Sequence, residues 1–424
     1  MPDTITEYLA HETRSFAELP VNEVDSLIFC TLSYINYETG IVGTLPVDSK
    51  VSLWRALCGT SRSKLLGDSW LNDTEGEAFL ANVLSSPRFI DVQIAFYVNE
   101  YVEDLEKQFS AVTFILPDHT TYIAFRGTDN TLAGWKEDFN LCFRTIIPSQ
   151  RSAQRYLSGV ASSCEGPIIV GGHSKGGNLA EYAVLTLSDS IYERIAAVYD
   201  HDGPSFLEDP SPRIAALSYK RALHKTVPES SVFGMLLERR RSYAVVESTA
   251  VAFMQHAPLT WIVEGDSFLR VHGLSNGATL FDRSLNDVCL SYTPEQRAVI
   301  IDTVFDLFKT TNAHTWEEFN RDQLRNVGTL LKESTKVDPA ARTLIAEALR
   351  SIAGVWSRGA FSHMRKQLPL TIPQPGNSHK RNQTFSTERG PHAQLKSELL
   401  NELNDETKTD CSSHPIAGSS QSKA

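Results

Sequence analysis

A chain of 424 residues with 41% hydrophobic and 21% charged side chains can bury a large enzyme domain or two to three smaller ones, so a disulfide-stapled mini-domain is excluded. Its net charge of −11 leaves no broad positive field to neutralise a nucleic-acid backbone or grip an anionic bilayer, and nucleic acid is set aside as a partner. The six cysteines (Cys30, Cys58, Cys142, Cys164, Cys289, Cys411) form no CxxC pair and no His/Cys cluster at ligand spacing, which predicts reduced thiols and no metal.

The N-terminus, MPDTITEYLAHETRSF, carries acids where a secretory leader needs a basic start and an apolar stretch. No run approaches the roughly 18 apolar residues of a membrane span, and the expected location is cytoplasmic. Between about Phe109 and Phe268 short β-rich runs alternate with turns and helical pieces: AVTFIL, TYIAF, IIVGG, AAVYD, ALHKTV and YAVV. The first two read as a hairpin turning at Pro117-Asp118. The later ones alternate with helices, which predicts an α/β core with a mostly parallel sheet covered on both faces.

The most informative window is PIIVGGHSKGGNLAEYAVLTL, residues 167–187. An apolar strand runs into Gly172-His173-Ser174-Lys175-Gly176 and then a helix, which is GxSxG in the strand–turn–helix setting its mechanics require. Glycines two residues either side let strand and helix approach, and the Ser174 hydroxyl stands exposed above the sheet. GGHSKGG does not match a phosphate-binding GxxxxGK[ST] loop, so no nucleotide site is read here.

A serine hydroxyl attacks well only when a histidine takes its proton and a carboxylate orients that histidine. His256, in AFMQHAPLTW, lies in a loop after the YAVV strand, where such a base belongs; His272 is the second choice. His201 comes too early to follow an acid, and His314 and the tail histidines are read as solvated. Two acids compete. Glu229 follows a strand two strands past the elbow and is ranked first; Asp202, in YDHDGP directly after the next strand, is the alternative. The strand TYIAF ends at Arg126-Gly127-Thr128, whose loop faces the elbow in such folds. Thr128 and the N–H of Lys175 are therefore the candidate donors to a developing anion.

FRGT followed by Trp135 and Asp138, then GHSKGG with its helix, then DHDGP, resembles the class 3 lipases, the fungal triacylglycerol-lipase-like α/β-hydrolases. VDSLIFCTLSYINYE, VPESSVFGMLLE and QHAPLTW are similar to a bacterial branch of lipase-like proteins. The resemblance spans about residues 20–360. It implies Ser174 as nucleophile, His256 as base and Thr128 with Lys175 as oxyanion donors. One departure stands out: His224 and Lys225 occupy the place where class 3 lipases carry an aspartate ahead of a Val-Pro pair. The apolar run 230–237 is read as a buried helix, with an acyl-pocket wall as the alternative.

Further along, Thr293-Pro294-Glu295-Gln296 is a capping box with Pro at N1, Thr315 with Glu318 repeats the box, and Asp338-Pro339 opens another helix. From about Phe361 a Pro-, Ser-, Asn- and Gln-rich stretch cannot bury enough apolar surface to order itself, apart from a short helix at AQLKSELLNEL. Arg239-Arg240-Arg241 is read as a solvated helix end or loop. The expected organisation is an N-terminal helical segment (1–70) packed on an α/β-hydrolase core (71–285), a helical appendage (286–360) and a mostly disordered polar tail (361–424). The expected function is a serine hydrolase cleaving a small-molecule or lipid carboxylic ester without a cofactor; the alternative is an inactive ligand-binding or interaction protein on the same fold.

Overall fold

The computed structural model describes residues 2–345, apart from 68, 130, 241, 276, 280–285, 287–290, 312–322, 340 and 344. The helix expected at Thr315, most of the one expected after Asp338-Pro339 and the tail from Phe361 lie outside the described residues.

Five helices precede the main sheet's long strands: α1 (Ile5–His11), α2 (Glu23–Leu32), α3 (Leu53–Cys58), α4 (Arg62–Leu66) and α5 (Thr74–Ser85). The short strand β1 (Val51–Ser52) sits among them. Then come β2 (Gln93–Val102), β3 (Lys107–Ile115), β4 (Thr121–Phe125), α6 (Leu132–Asn140), α7 (Pro148–Ser163), β5 (Ile168–His173), α8 (Lys175–Leu185), α9 (Asp189–Tyr192), β6 (Ile195–His201), α10 (Leu217–Ala222), β7 (Leu223–Pro228) and β8 (Ala244–Val246). The eight strands form one sheet in sequential order, antiparallel from β1 to β4 and parallel from β4 to β8. The fold is α/β with a mixed, mostly parallel sheet.

Sequential order has a consequence for layering. Right-handed crossovers between successive parallel strands deposit their helices on one face, so the opposite face needs another cover. Here the N-terminal helices supply it. Side chains alternate accordingly: Tyr122, Ala124, Ile169, Ala197 and Tyr199 pack with α1 and α2, while Ile123, Phe125, Val170 and Val198 pack with α7 and α8. Each such residue is buried, and full burial of a Phe or Ile side chain is worth about 1.5–3 kcal/mol. On the N-terminal face Asn22 caps α2 in a capping box with Asp25, whose buried carboxylate pairs with Arg88 at 2.6 Å.

The strand β2 was not among the expected runs. It pairs with β3 through a bulge between Ala95 and Val98, where Phe96 takes φ 55°, and this irregularity interrupts its alternation. Residues 230–237 form turns, not the expected buried helix. Arg240 is not a solvated cation: its guanidinium grips the buried Glu181 carboxylate at 2.6 and 3.0 Å. Past the core, the helix Pro294–Lys309 starts at the expected capping box, Thr293 with Gln296. It packs on α6 through Lys136–Asp302 at 3.1 Å and Phe139 against Phe305. Among the described residues no helix is long and apolar enough to cross a membrane.

Candidate active site

Every residue of β5 is buried, and the chain leaves it through Ser174 at φ 58°, ψ −134° before α8 begins at Lys175. A non-glycine residue there costs about 1–3 kcal/mol, which surrounding contacts must impose. They are visible: the Ser174 N–H donates to the His201 carbonyl at 2.9 Å, and its own carbonyl accepts from the Gly177 N–H at 2.9 Å. A Cβ on Gly172 would lie 2.0 Å from the carbonyl of Gly176, and one on Gly176 would lie 2.1 Å from the Phe125 carbonyl oxygen. Both elbow positions therefore require glycine by close approach.

His256 ends a short 3₁₀ turn, Ala252–His256. The buried Trp261 indole donates to the Gln255 carbonyl at 2.8 Å, and the Gln255 side chain accepts from the Ser230 N–H at 2.7 Å, so QHAPLTW is fastened on both sides of the imidazole. The His256 ring lies 4.5 Å from the ring of His173, the residue next to Ser174, and 4.4 Å from Phe233. His173 donates from Nε2 to the His256 carbonyl at 2.8 Å and accepts at Nδ1 from the Tyr34 hydroxyl at 3.2 Å. Burial holds the His173 imidazole well below its ordinary pKa, consistent with one neutral tautomer.

The carboxylate that meets His256 belongs to Asp202. His256 Nδ1 donates to Asp202 Oδ2 at 2.6 Å, and Asp202 Oδ1 accepts from the Ser231 hydroxyl and from the Gly234 N–H at 3.1 Å. Asp202 follows β6 at φ 57°, its N–H donating to the Thr226 carbonyl at 2.8 Å. Strand alternation sends Asp200 to the α8 face and His201 to the α2 face, and the turn then frees Asp202 from either. Glu229, ranked first by sequence, has its N–H and carbonyl engaged by Val246 and Ser275, and among the described residues its carboxylate makes no hydrogen bond or ion pair. His272 is exposed. His201 is buried between the Ser26 and Thr226 hydroxyls, and burial pushes its pKa down to about 3.

Lys225, at the departed aspartate position, is a buried cation 2.9 Å from Asp200 and 3.2 Å from Glu238. Asp200 also accepts the Gly203 N–H at 2.8 Å. This pair braces the turn that presents Asp202. His224, beside it, stacks on Tyr199 at 4.8 Å.

The Arg126-Gly127-Thr128 loop lies against the elbow. A Cβ on Gly127 would meet the Tyr34 hydroxyl at 2.1 Å, the His173 carbonyl at 2.7 Å and Ser174 Cβ at 3.1 Å. The Thr128 hydroxyl donates to Asp138 Oδ2. Burial raises the Asp138 pKa to about 6, opposed by the Lys175 charge and the Thr128 hydrogen bond. Trp135 packs edge-on against Phe233, which in turn covers His256, so an aromatic row joins the two sides of the site. Sequence reasoning gave Tyr34, Ser231 and Asp138 no individual role, and reached Phe233 only within the run 230–237 whose alternative reading was an acyl-pocket wall. Their signal is contact across long separations, which no local motif carries. Among the described residues no group of three or more His, Cys, Asp or Glu could hold a metal.

No curated protein matches the chain. A family model described as Mbeg1-like matches residues 83–306, more than half of the sequence and the whole of the elbow, the Asp202 turn and the His256 loop. The chain belongs to the Mbeg1-like family, a lipase-like family.

Proposed function

We propose that the protein is a serine carboxylic-ester hydrolase, acting on a lipid or other acyl ester through an acyl-enzyme. The observation that carries this reading is the hydrogen-bonded Asp202–His256 pair seated against the residue adjoining a strained, glycine-flanked serine. His256, with Nδ1–H committed to Asp202, offers Nε2 to take the Ser174 proton. Ser174 Oγ attacks the ester carbonyl, and the resulting anion is held by main-chain N–H groups at Thr128 and Lys175. Asp138, by accepting the Thr128 hydroxyl, fixes the side chain and with it the loop. His256 protonates the leaving alcohol, then activates the water that releases the acid. No step calls on a cofactor. Trp135 and Phe233 give the substrate side of the site an apolar wall, which favours an acyl chain over a sugar or phosphate. The resemblance to class 3 lipases points the same way, and the free thiols of Cys30, Cys58, Cys142 and Cys164 suit a cytoplasmic setting.

The test is covalent labelling of the folded protein with a fluorophosphonate probe, read together with hydrolysis of p-nitrophenyl esters of graded chain length. Ser174→Ala is expected to abolish labelling and to reduce turnover by about 10⁴-fold or more. A folded wild type that neither labels nor hydrolyses any ester of the series ends this reading.

A further inference from the structure

We infer that the Lys175 side chain is a positioning element of the anion site: a buried clamp that ties the nucleophile elbow to α6, and through α6 to the Thr128 loop. The inference rests on the hydrolase reading for its catalytic consequence, while the clamp itself is a structural claim.

Lys175 is the first residue of α8, directly after Ser174, and its side chain is fully buried. An ammonium has three protons to place. All three find acceptors: the Gln108 carbonyl, the Gln108 side-chain oxygen and Glu137 Oε2, each at 2.9 Å. Glu137 is equally buried and saturated. Its Oε2 also accepts from the Gln108 N–H at 3.0 Å and the Ser149 hydroxyl at 2.8 Å, and its Oε1 from the Ser149 N–H at 3.0 Å. One ion pair thus joins β3, α6, the start of α7 and the elbow.

The next residue of α6 completes the connection. Asp138 takes the Thr128 hydroxyl on Oδ2, while its Oδ1 sits 3.9 Å from Lys175 Nζ. Thr131 caps the same helix, its hydroxyl accepting from the Gly134 N–H at 3.1 Å, so α6 holds both Thr128 and Thr131. The two candidate anion donors come from segments about fifty residues apart in sequence, and among the described residues no main-chain hydrogen bond joins Thr128 to Lys175. Beyond the close approach of Gly127 to the elbow, they are linked by adjacent carboxylates of one helix, one gripping the Lys175 side chain and one gripping Thr128. A tether that needed only to fill space would be served by an apolar side chain. Burying an ion pair is costly to assemble and rigid once saturated, and rigidity is what a preorganised anion site needs.

Replacing Lys175 alone would strand the Glu137 charge in a dry site, so the test uses the double variant Lys175→Met/Glu137→Gln in the full chain. Amide hydrogen exchange over residues 126–131 is expected to quicken about tenfold while the β5 amides stay protected. With p-nitrophenyl butyrate, kcat is expected to fall about tenfold or more with KM within about twofold, the pattern of a contact made only to the transition state. A folded double variant with wild-type exchange over 126–131 overturns the clamp, as does one with faster exchange and wild-type kcat in an active enzyme. Faster exchange in a protein whose wild type hydrolyses no ester leaves the clamp standing and defeats the hydrolase reading instead. If the double variant does not fold, Glu137→Gln alone carries the same readouts, and unchanged exchange and kcat there overturn the proposal.

Discussion

Asp202 and His256 are held in place by main-chain amides, a serine hydroxyl and ring contacts, on two turns at the end of the parallel sheet. Thr128 and Lys175, across Ser174, are held by buried charges that converge on α6. The first arrangement leaves the His256 ring partly exposed. The second centres on a Lys175–Glu137 pair that is fully buried. In the proposed mechanism a proton-transfer arm and an anion-binding arm need different settings, and β5 lies between β4, which launches the Thr128 loop, and β6, which launches Asp202.

The largest effect that can break this comparison lies in the proton-transfer arm. Asp202→Asn removes the acceptor that fixes the His256 tautomer while keeping the shape, and ester turnover is expected to drop about 10³–10⁴-fold. Glu229→Gln, measured in parallel with the same p-nitrophenyl ester, is expected to stay within about twofold, since among the described residues its carboxylate has no partner to lose. Equal losses in the two variants, or a reversed order, would reassign the acid. A smaller effect is expected in the anion arm. Asp138→Asn keeps an oxygen for Thr128 but replaces the half-buried carboxylate, and kcat is expected to fall about 10–100-fold with little change in KM. A change in KM alone would place Asp138 in substrate binding.

The elbow was readable because it is local: a strand, two glycines and a helix within twenty residues state their own geometry. The strands from β3 to β8 were readable for the same reason, as was the Thr293 capping box. The identity of the acid was not. Glu229 and Asp202 both follow strands, and what separates them is the β6–β7 register, Asp200 opposite Lys225, and a backbone reversal at Asp202 that no composition announces. Lys225 looked like the loss of a family aspartate, yet it neutralises Asp200 beneath the turn that presents Asp202. Tyr34 lies in a segment that the resemblance includes, and its role was not legible for a further reason. It stands about 140 residues before Ser174, outside the span of the family match, and reaches the elbow only because sequential crossovers leave one sheet face for the N-terminal helices to cover.

The smallest expected effect sharpens the comparison through pH. His201, beside Asp202, is buried with its pKa lowered from 6.5 to about 3. The unfolded chain therefore takes up a proton there below about 6.5 that the folded chain refuses until about 3. This group removes stability as pH falls through that window, by at most about 1.4 kcal/mol per pH unit. Asp138 has the opposite sign. Its pKa is raised from 3.8 to about 6, so between those values the folded chain binds the proton more tightly and acid favours folding. Urea midpoints measured from pH 7 to pH 4 should thus fall gently in the wild type, less in His201→Asn and more steeply in Asp138→Asn. Replacements that bend the profile in the same direction would mean that His201 and Asp138 do not hold their protons in opposite ways.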